Sequence, residues 1–216
     1  MNLYFRCVTF FILFIVMLTC GCQKTYYAVW EKLGKEKRHL LRDNVQKARD
    51  DQQKASEQFK DVLTRIREMY GFEGGKLEKF YKKLSSDFEE CESRSNEVKE
   101  RIKSVEQIAS DLFKEWEKEI NLITNQNLKS KSRQSMKATK NRYARLREAM
   151  VRAESSMDPV LKKLRDYVLY LKHNLNSQAV GALKQEADSI EIEVGSLIKD
   201  ISRSVKEAED FLKSVK

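Results

Sequence analysis

Four cysteines and two histidines carry the widest chemical range in this chain, and their spacing limits what they can do. Cys7, Cys20 and Cys22 fall in or beside an apolar N-terminal run, which leaves Cys91 as the single thiol of everything that follows. One thiol builds no intramolecular disulfide framework. Cys91 occupies an apolar helix position with no histidine near it in sequence, so it reads as a buried structural cysteine and not as a nucleophile or metal ligand. His39 and His173 fall on predicted helices at opposite ends of the expected fold and therefore share no metal site. Glu89, Glu90 and Glu92 form a short acidic run of the kind found on solvated faces. Gly74-Gly75 lacks the preceding strand and the following Gly-Lys-Ser/Thr of a phosphate loop. No nucleophile beside a base and no acid/base pair emerges, so the chain is expected to be non-enzymatic, with no cofactor and no metal.

The remaining thiol chemistry lies at the N-terminus. Arg6 precedes an apolar run from Val8 to Leu18, broken only by Thr9, and Thr19-Cys20-Gly21-Cys22 follows. That order is the charged, apolar and small-residue layout of an export signal over residues 1–21. A transmembrane helix needs about 20 apolar residues, so this short run makes a retained signal-anchor the weaker reading. Gly21-Cys22 resembles a bacterial lipobox, in which the chain is cut before a cysteine that becomes acylated; Thr19 departs from its usual leucine, and Leu18 stands one place early. A Cys20–Cys22 disulfide, or plain small residues of a signal, is the competing interpretation. Acylation of Cys22 would anchor the chain firmly in membrane lipid, since each buried CH₂ contributes about 0.8 kcal/mol and several chains act together. By analogy with lipoprotein sorting, Gln23 after the cysteine points to the outer membrane, facing the periplasm. Tyr26, Tyr27 and Trp30 follow closely, as interfacial anchors or as packing at a bundle end.

One proline and seven glycines in 216 residues exclude collagen-like and turn-rich architectures, and heptad spacing specifies helices. Leu41, Val45, Ala48, Gln52, Ala55, Phe59, Val62, Ile66 and Met69 step by four and three. Past the Gly71-Phe72-Glu73-Gly74-Gly75 break, a second seam runs through Leu77, Phe80, Leu84, Phe88, Cys91, Ser95, Val98, Ile102, Val105, Ala109, Leu112, Trp116 and Ile123. In an antiparallel hairpin, partners have a constant number sum. Met69 with Leu77 and Leu41 with Val105 sum to 146, and the two polar members, Gln52 and Ser95, sum to 147, which predicts a shared buried polar layer that fixes register. Trp116 with Met136 and Ile102 with Met150 sum to 252; Met150 with Ile201 and Leu164 with Ala187 sum to 351. The expectation is an all-α protein, a long antiparallel up-down-up-down four-helix bundle or a set of coiled-coil hairpins, with residues 22–216 as one domain. Its helices should cover about 27–70, 76–124, 129–173 and 178–214, with Pro159 kinking or restarting the third and Asp158 as its cap.

Charge adds a direction. Lys and Arg exceed Asp and Glu by nine, which favours anionic surfaces. Residues 22–48, 101–150 and 196–216, on the side of Cys22 in such a bundle, carry +11 together, whereas 49–100 and 151–195 carry −3. The densest stretch is Lys129, Lys131, Arg133, Lys137, Lys140, Arg142, Arg145 and Arg147, with no acid until Glu148. This membrane-side basic patch suits anionic lipid head groups or peptidoglycan carboxylates, or is simply a solvated helical surface. The leading expectation is a lipid-anchored periplasmic scaffold or binding module of the cell envelope with an unidentified envelope partner. The alternative is a membrane-anchored coiled coil that binds nucleic acid on the cytoplasmic side, a partner an exported chain would rarely meet.

Cys22 to Tyr27, Glu31-Lys32-Leu33-Gly34, Arg49-Asp50-Asp51-Gln52 and Glu57-Gln58-Phe59 resemble the opening of a proteobacterial family catalogued as domain of unknown function 2959. Met157-Asp158-Pro159-Val160-Leu161 and the run from Val168 to Asn176 resemble its later blocks. The resemblance implies an envelope lipoprotein with no assigned activity and supplies no catalytic residues.

Overall fold

The computed structural model describes residues 37–69 and 77–215. Among them lie six helices: α1 (Lys37–Met69), α2 (Leu77–Leu122), α3 (Gln126–Ser155), α4 (Met157–His173), α5 (Ser177–Gln185) and α6 (Ala187–Ser214). The chain divides into two compact units, Met1–Leu40 and Leu41–Lys216. Of the first unit, only the opening turn of α1 is among the described residues, so the predicted start of helix one near residue 27 lies outside them, as does the glycine-rich break at 71–75.

Within the second unit the described residues are helical with no strand, and the helices close on one another. The α1 side chain of Arg101's partner Asp51 lies 3.1 Å from that α2 guanidinium, and Gln58 Nε2 donates to the Asp87 carbonyl at 3.5 Å. From α2 to α3, Arg147 lies 2.6 Å from Glu106. From α4 to α6, Lys163 lies 2.8 Å from Glu193. The last helix then returns to the first, because Arg67 meets Glu191 at 2.7 Å and the Ser204 hydroxyl donates to Gln52 Oε1 at 2.7 Å. Four segments, α1, α2, α3 with α4, and α5 with α6, thus form a closed bundle and not separate extended hairpins. Its core holds Phe59, Ile66 and Met69 of α1, Leu84 and Val105 of α2, Leu146 and Met150 of α3, Leu164 of α4 and Ile201 of α6.

Both described turns are three residues long and closed by asparagine. Asn125 accepts hydrogen bonds from the Asn127 and Leu128 N–H groups at 3.0 and 3.1 Å, satisfying donors that the first turn of α3 leaves unpaired. Asn176 does the same for the Ala179 N–H at 2.9 Å. The predicted third and fourth helices are each divided. Pro159 has no N–H to give the Ser155 carbonyl four residues back, and its ring crowds that position, so the break falls at Ser156 and not at the proline itself. Ser156, not Asp158, is the junction residue; its hydroxyl lies within reach of the Arg152 carbonyl and the Asp200 carboxylate, which share its one proton. The fourth segment tightens at Glu186, whose N–H turns to the Leu183 carbonyl at 3.2 Å in a 3₁₀-type bond.

The seams differ in two places. Along α2 the buried stripe passes through Phe113 and Ile120, while Leu112, Trp116 and Ile123 are half-buried. A helix of 3.6 residues per turn drifts by about 20° per heptad from a strict 3.5 repeat, so a stripe extrapolated over several heptads leaves the true buried face. Gln52 and Ser95 are both buried, and the hydrogen-bond partner of Gln52 is Ser204 of α6.

Candidate functional site

The basic stretch lies within roughly the first six turns of α3, and Asn125 sets its phase by fixing where the helix begins. With Met136, Thr139, Leu146, Ala149 and Met150 on the buried face, Lys131, Arg133, Lys137, Lys140, Arg145 and Arg147 are exposed, while Lys129 and Arg142 are half-buried.

The eight cations have different local duties. Lys129 Nζ donates to the Asn121 carbonyl at 3.2 Å and Arg133 Nη2 to Asn121 Oδ1 at 3.3 Å. Both therefore close the C-terminal end of α2, where the last carbonyls lack helical partners and the helix dipole favours positive charge. Lys140 lies 3.8 Å from Glu117 and 5.6 Å over the Phe113 ring; Arg145 lies 3.9 Å from Glu207, and Arg147 pairs with Glu106. Surface pairs of this kind contribute about 0–1 kcal/mol each, but they offset three of the eight charges. Arg142 Nη2 donates to Thr139 Oγ1 at 3.4 Å, and its buried Nε has no hydrogen-bond partner. Lys131 and Lys137 have no ion-pair partner among the described residues. The site is a patch of surface with cations left over, and it holds no nucleophile–base pair.

Behind the patch the rings of Phe113 and Tyr143 lie 5.7 Å apart and those of Tyr143 and Phe211 6.3 Å apart. Burial, then the Glu106 charge, pushes the Tyr143 phenol up to about 12, with Arg147 opposing. Phe211 sits level with Tyr143, and α6 ends three residues later at Ser214. Helices α2 and α3 continue past that end for about 14 more residues of α3, or roughly 20 Å at 1.5 Å per residue.

Sequence reasoning missed what this projecting end displays. Leu122 is 81% exposed and Leu128 57% exposed, one on each side of the 123–125 turn. Leu128 continues the buried face of α3 through Ser132 and Met136 to a level where no other described helix covers it, whereas Leu122 stands off the α2 seam altogether. Also missed were Lys114 and Lys118 of α2, which join Ser110, Phe113, Glu117 and Lys140 around an open depression of about 500 Å³. Their four-residue spacing on the face opposite the seam was the available signal. A second open depression, of about 510 Å³, is lined by Asp51, Glu97, Glu100, Arg101 and neighbouring polar residues, with the Arg101–Asp51 pair inside it.

The other candidates have structural surroundings. Cys91 is buried, and burial followed by the Asp87, Glu90 and Asp61 charges pushes its thiol up, away from the reactive thiolate. Glu90 pairs with Arg94 at 2.8 Å and Glu92 with Arg165 of α4 at 2.8 Å. His39 and His173 are exposed. The end of α4 is closed by Asn174, whose Nδ2 donates to the Tyr170 carbonyl at 2.9 Å. Among the described residues no group of three or more His, Cys, Asp or Glu side chains could hold a metal ion, and no helix is long and apolar enough to cross a membrane. Cys7, Cys20, Cys22, Tyr26, Tyr27 and Trp30 lie outside the described residues.

A family model described as protein of unknown function (DUF2959) matches residues 26–215. No curated protein and no solved structure matches the chain.

Proposed function

We propose that this chain, which belongs to the DUF2959 family of unknown function, is a non-enzymatic, lipid-anchored helical scaffold or binding module of a bacterial cell envelope. An acylated Cys22 holds it at the outer membrane, facing the periplasm, after removal of residues 1–21. The observation that carries this reading is Gly21-Cys22 at the close of a short apolar run that follows a lone Arg6.

The bundle supports the direction in which such a tether would present it. Within residues 41–216, α1 runs away from residue 41 and α2 runs back, so the 123–125 turn and the start of α3 lie at the same end as residue 41, the point from which the chain leads back to Cys22. That end carries Lys131 and Lys137, which have no ion-pair partner among the described residues, and this suits anionic lipid head groups or peptidoglycan carboxylates as the counterpart. An envelope protein is the remaining partner of the scaffold role.

Metabolic labelling with palmitate tests the tether. Labelled wild type in outer-membrane fractions and unlabelled Cys22→Ala is the expected result; equal labelling of the two overturns it. A C-terminal reporter active only in the cytoplasm would select the nucleic-acid-binding alternative instead.

A further inference from the structure

We propose that the projecting end of the α2–α3 hairpin dips into the head-group layer of an anionic bilayer, with Leu122 and Leu128 entering first and the cations behind them meeting the lipid charge. The inference rests on the envelope-lipoprotein reading and names the part of the molecule that touches lipid.

Four observations converge on it. Leu122 and Leu128 are among the most exposed large apolar side chains described, and they flank the same turn. From Ile120 to Arg147 there are eight cations and no acid, and with the acids of the adjoining part of α2 counted the stretch from Asp111 to Arg147 still holds ten cations against four acids, so the apolar tip is backed by a net positive charge. The far turn at 174–176 also exposes apolar residues, Leu169, Tyr170 and Leu175, but residues 151–195 carry a net charge of −1. Apolar exposure alone does not separate the two ends; charge does. An apolar edge with cations above it is the arrangement by which amphipathic segments settle in the interface of anionic membranes.

Reach is the fourth. Arg101 Nη1 lies 3.5 Å from Asn44 Oδ1, which sets those two residues level. From Asn44 back to Cys22 is 22 residues, and from Arg101 forward to Leu122 is 21. The α2 path covers roughly 30 Å at about 1.5 Å per residue, and 22 linked residues can reach at least that far, so a tether at Cys22 is long enough for the tip to meet the bilayer that holds the acyl chains.

The test uses the full acylated chain reconstituted into vesicles of phosphatidylcholine alone or mixed with phosphatidylglycerol. Leu122→Cys and Leu175→Cys variants are labelled with an environment-sensitive NBD fluorophore, and the parent chain, treated alike, gives the background. In phosphatidylglycerol vesicles the label at 122 should shift to the blue and be quenched by spin-labelled lipid, while the label at 175 stays in water. Adding Lys131→Gln should lower the ratio of inserted to free tips about fivefold, the equivalent of one cation near an anionic surface. A chain that floats with the vesicles but keeps the label at 122 in water overturns the insertion and leaves the tether standing. Failure to float with either vesicle overturns the tether, and the tip's role with it. Equal shifts at 122 and 175, or equal shifts at 122 in both lipids, overturn the assignment to a cationic end.

Discussion

The Gln52 carboxamide is fully enclosed, with Oε1 accepting from the Ser204 hydroxyl at 2.7 Å and Nε2 without a hydrogen-bond partner. A buried polar group left unsatisfied costs about 1–3 kcal/mol, so the amide binds the bundle together at one atom and weakens it at another. Gln52→Met keeps the side-chain length and removes the orphan nitrogen. It leaves the Ser204 hydroxyl without its acceptor, but a helical serine can turn to the carbonyl four residues earlier, here Asp200. The expected outcome is a gain of about 1–3 kcal/mol, or roughly 2–4 °C in Tm per kcal/mol for a chain of this size. Ser204→Ala acts in the opposite sense, since it strips Oε1 of its donor and leaves both ends of the amide unpaired, at a cost of about 1–3 kcal/mol. In the Gln52→Met background the same serine change should cost far less, giving a coupling of at least about 0.5 kcal/mol between the two sites. Urea unfolding of all four proteins followed by far-ultraviolet circular dichroism closes the cycle, provided the m-values agree. A lower midpoint for Gln52→Met, with m unchanged, would refute the reasoning, because Nε2 would then have to be satisfied in the native protein. A fall in m for the doubly apolar protein would show that the polar pair holds the helix register.

Three further outcomes are expected. Leu164, fully buried in α4, should cost about 2–5 kcal/mol when cut to alanine, read as a drop in urea midpoint. Tyr143 holds its proton more tightly folded than unfolded, so its stabilisation is complete below the ordinary pKa of 10.0 and disappears as pH rises towards about 12; Tyr143→Phe should flatten stability against pH across that window. Replacing Lys137, Lys140, Arg142 and Arg145 by Gln in the Cys22→Ala protein should weaken co-sedimentation with anionic vesicles at low salt. Lys140 and Arg145 already face Glu117 and Glu207, so most of the loss should come from Lys137, at about 1 kcal/mol, and Lys137→Gln alone should reproduce it.

The bundle was legible because its seams obey arithmetic that only antiparallel neighbours satisfy. Tyr143 and Phe211, whose rings lie 6.3 Å apart, sum to 354 where the register implied 351, less than one helical turn away. Arg147 and Glu106, at 2.6 Å, sum to 253 against 252. Sums computed around each turn, however, describe only consecutive helices. The contact between α1 and α6 crosses no turn, so Ser204 went unrecognised as the partner of Gln52, although a closed bundle requires such a contact somewhere. The break at Ser156 was legible from Pro159 but displaced, since the missing donor acts on a carbonyl four residues earlier. Nothing in residue type marks Glu186 as a tightening point. Leu122 and Leu128 escaped for a different reason: heptad spacing says which residues share a face, and not where the neighbouring helices stop. The charge pattern is legible in sequence as a stripe but not as a set of individuals, because ion pairing depends on which acids the adjoining helices bring opposite.

That last distinction gives the basic stretch its meaning. Lys129, Arg133 and Lys137 follow one another at four-residue steps along one side of α3. Like charges at that spacing destabilise a helix by about 0.2–0.5 kcal/mol per pair, and only the first two gain an internal bond in return, at the end of α2. Lys131 and Lys137 make no such bond among the described residues. Elsewhere in the bundle some cations are matched, Arg67 with Glu191, Arg94 with Glu90 and Glu97, Lys163 with Glu193, and Arg165 with Glu92, while others, such as Lys54, Lys60 and Lys199, have no ion-pair partner among the described residues. What sets the α3 stretch apart is its density, eight cations from Lys129 to Arg147 with no acid among them, a concentration of charge that anions outside the molecule would relieve. A head-group layer supplies many such anions across a plane, which suits a stripe of cations whose neighbouring depression, lined by Lys114, Lys118 and Lys140, is open to solvent.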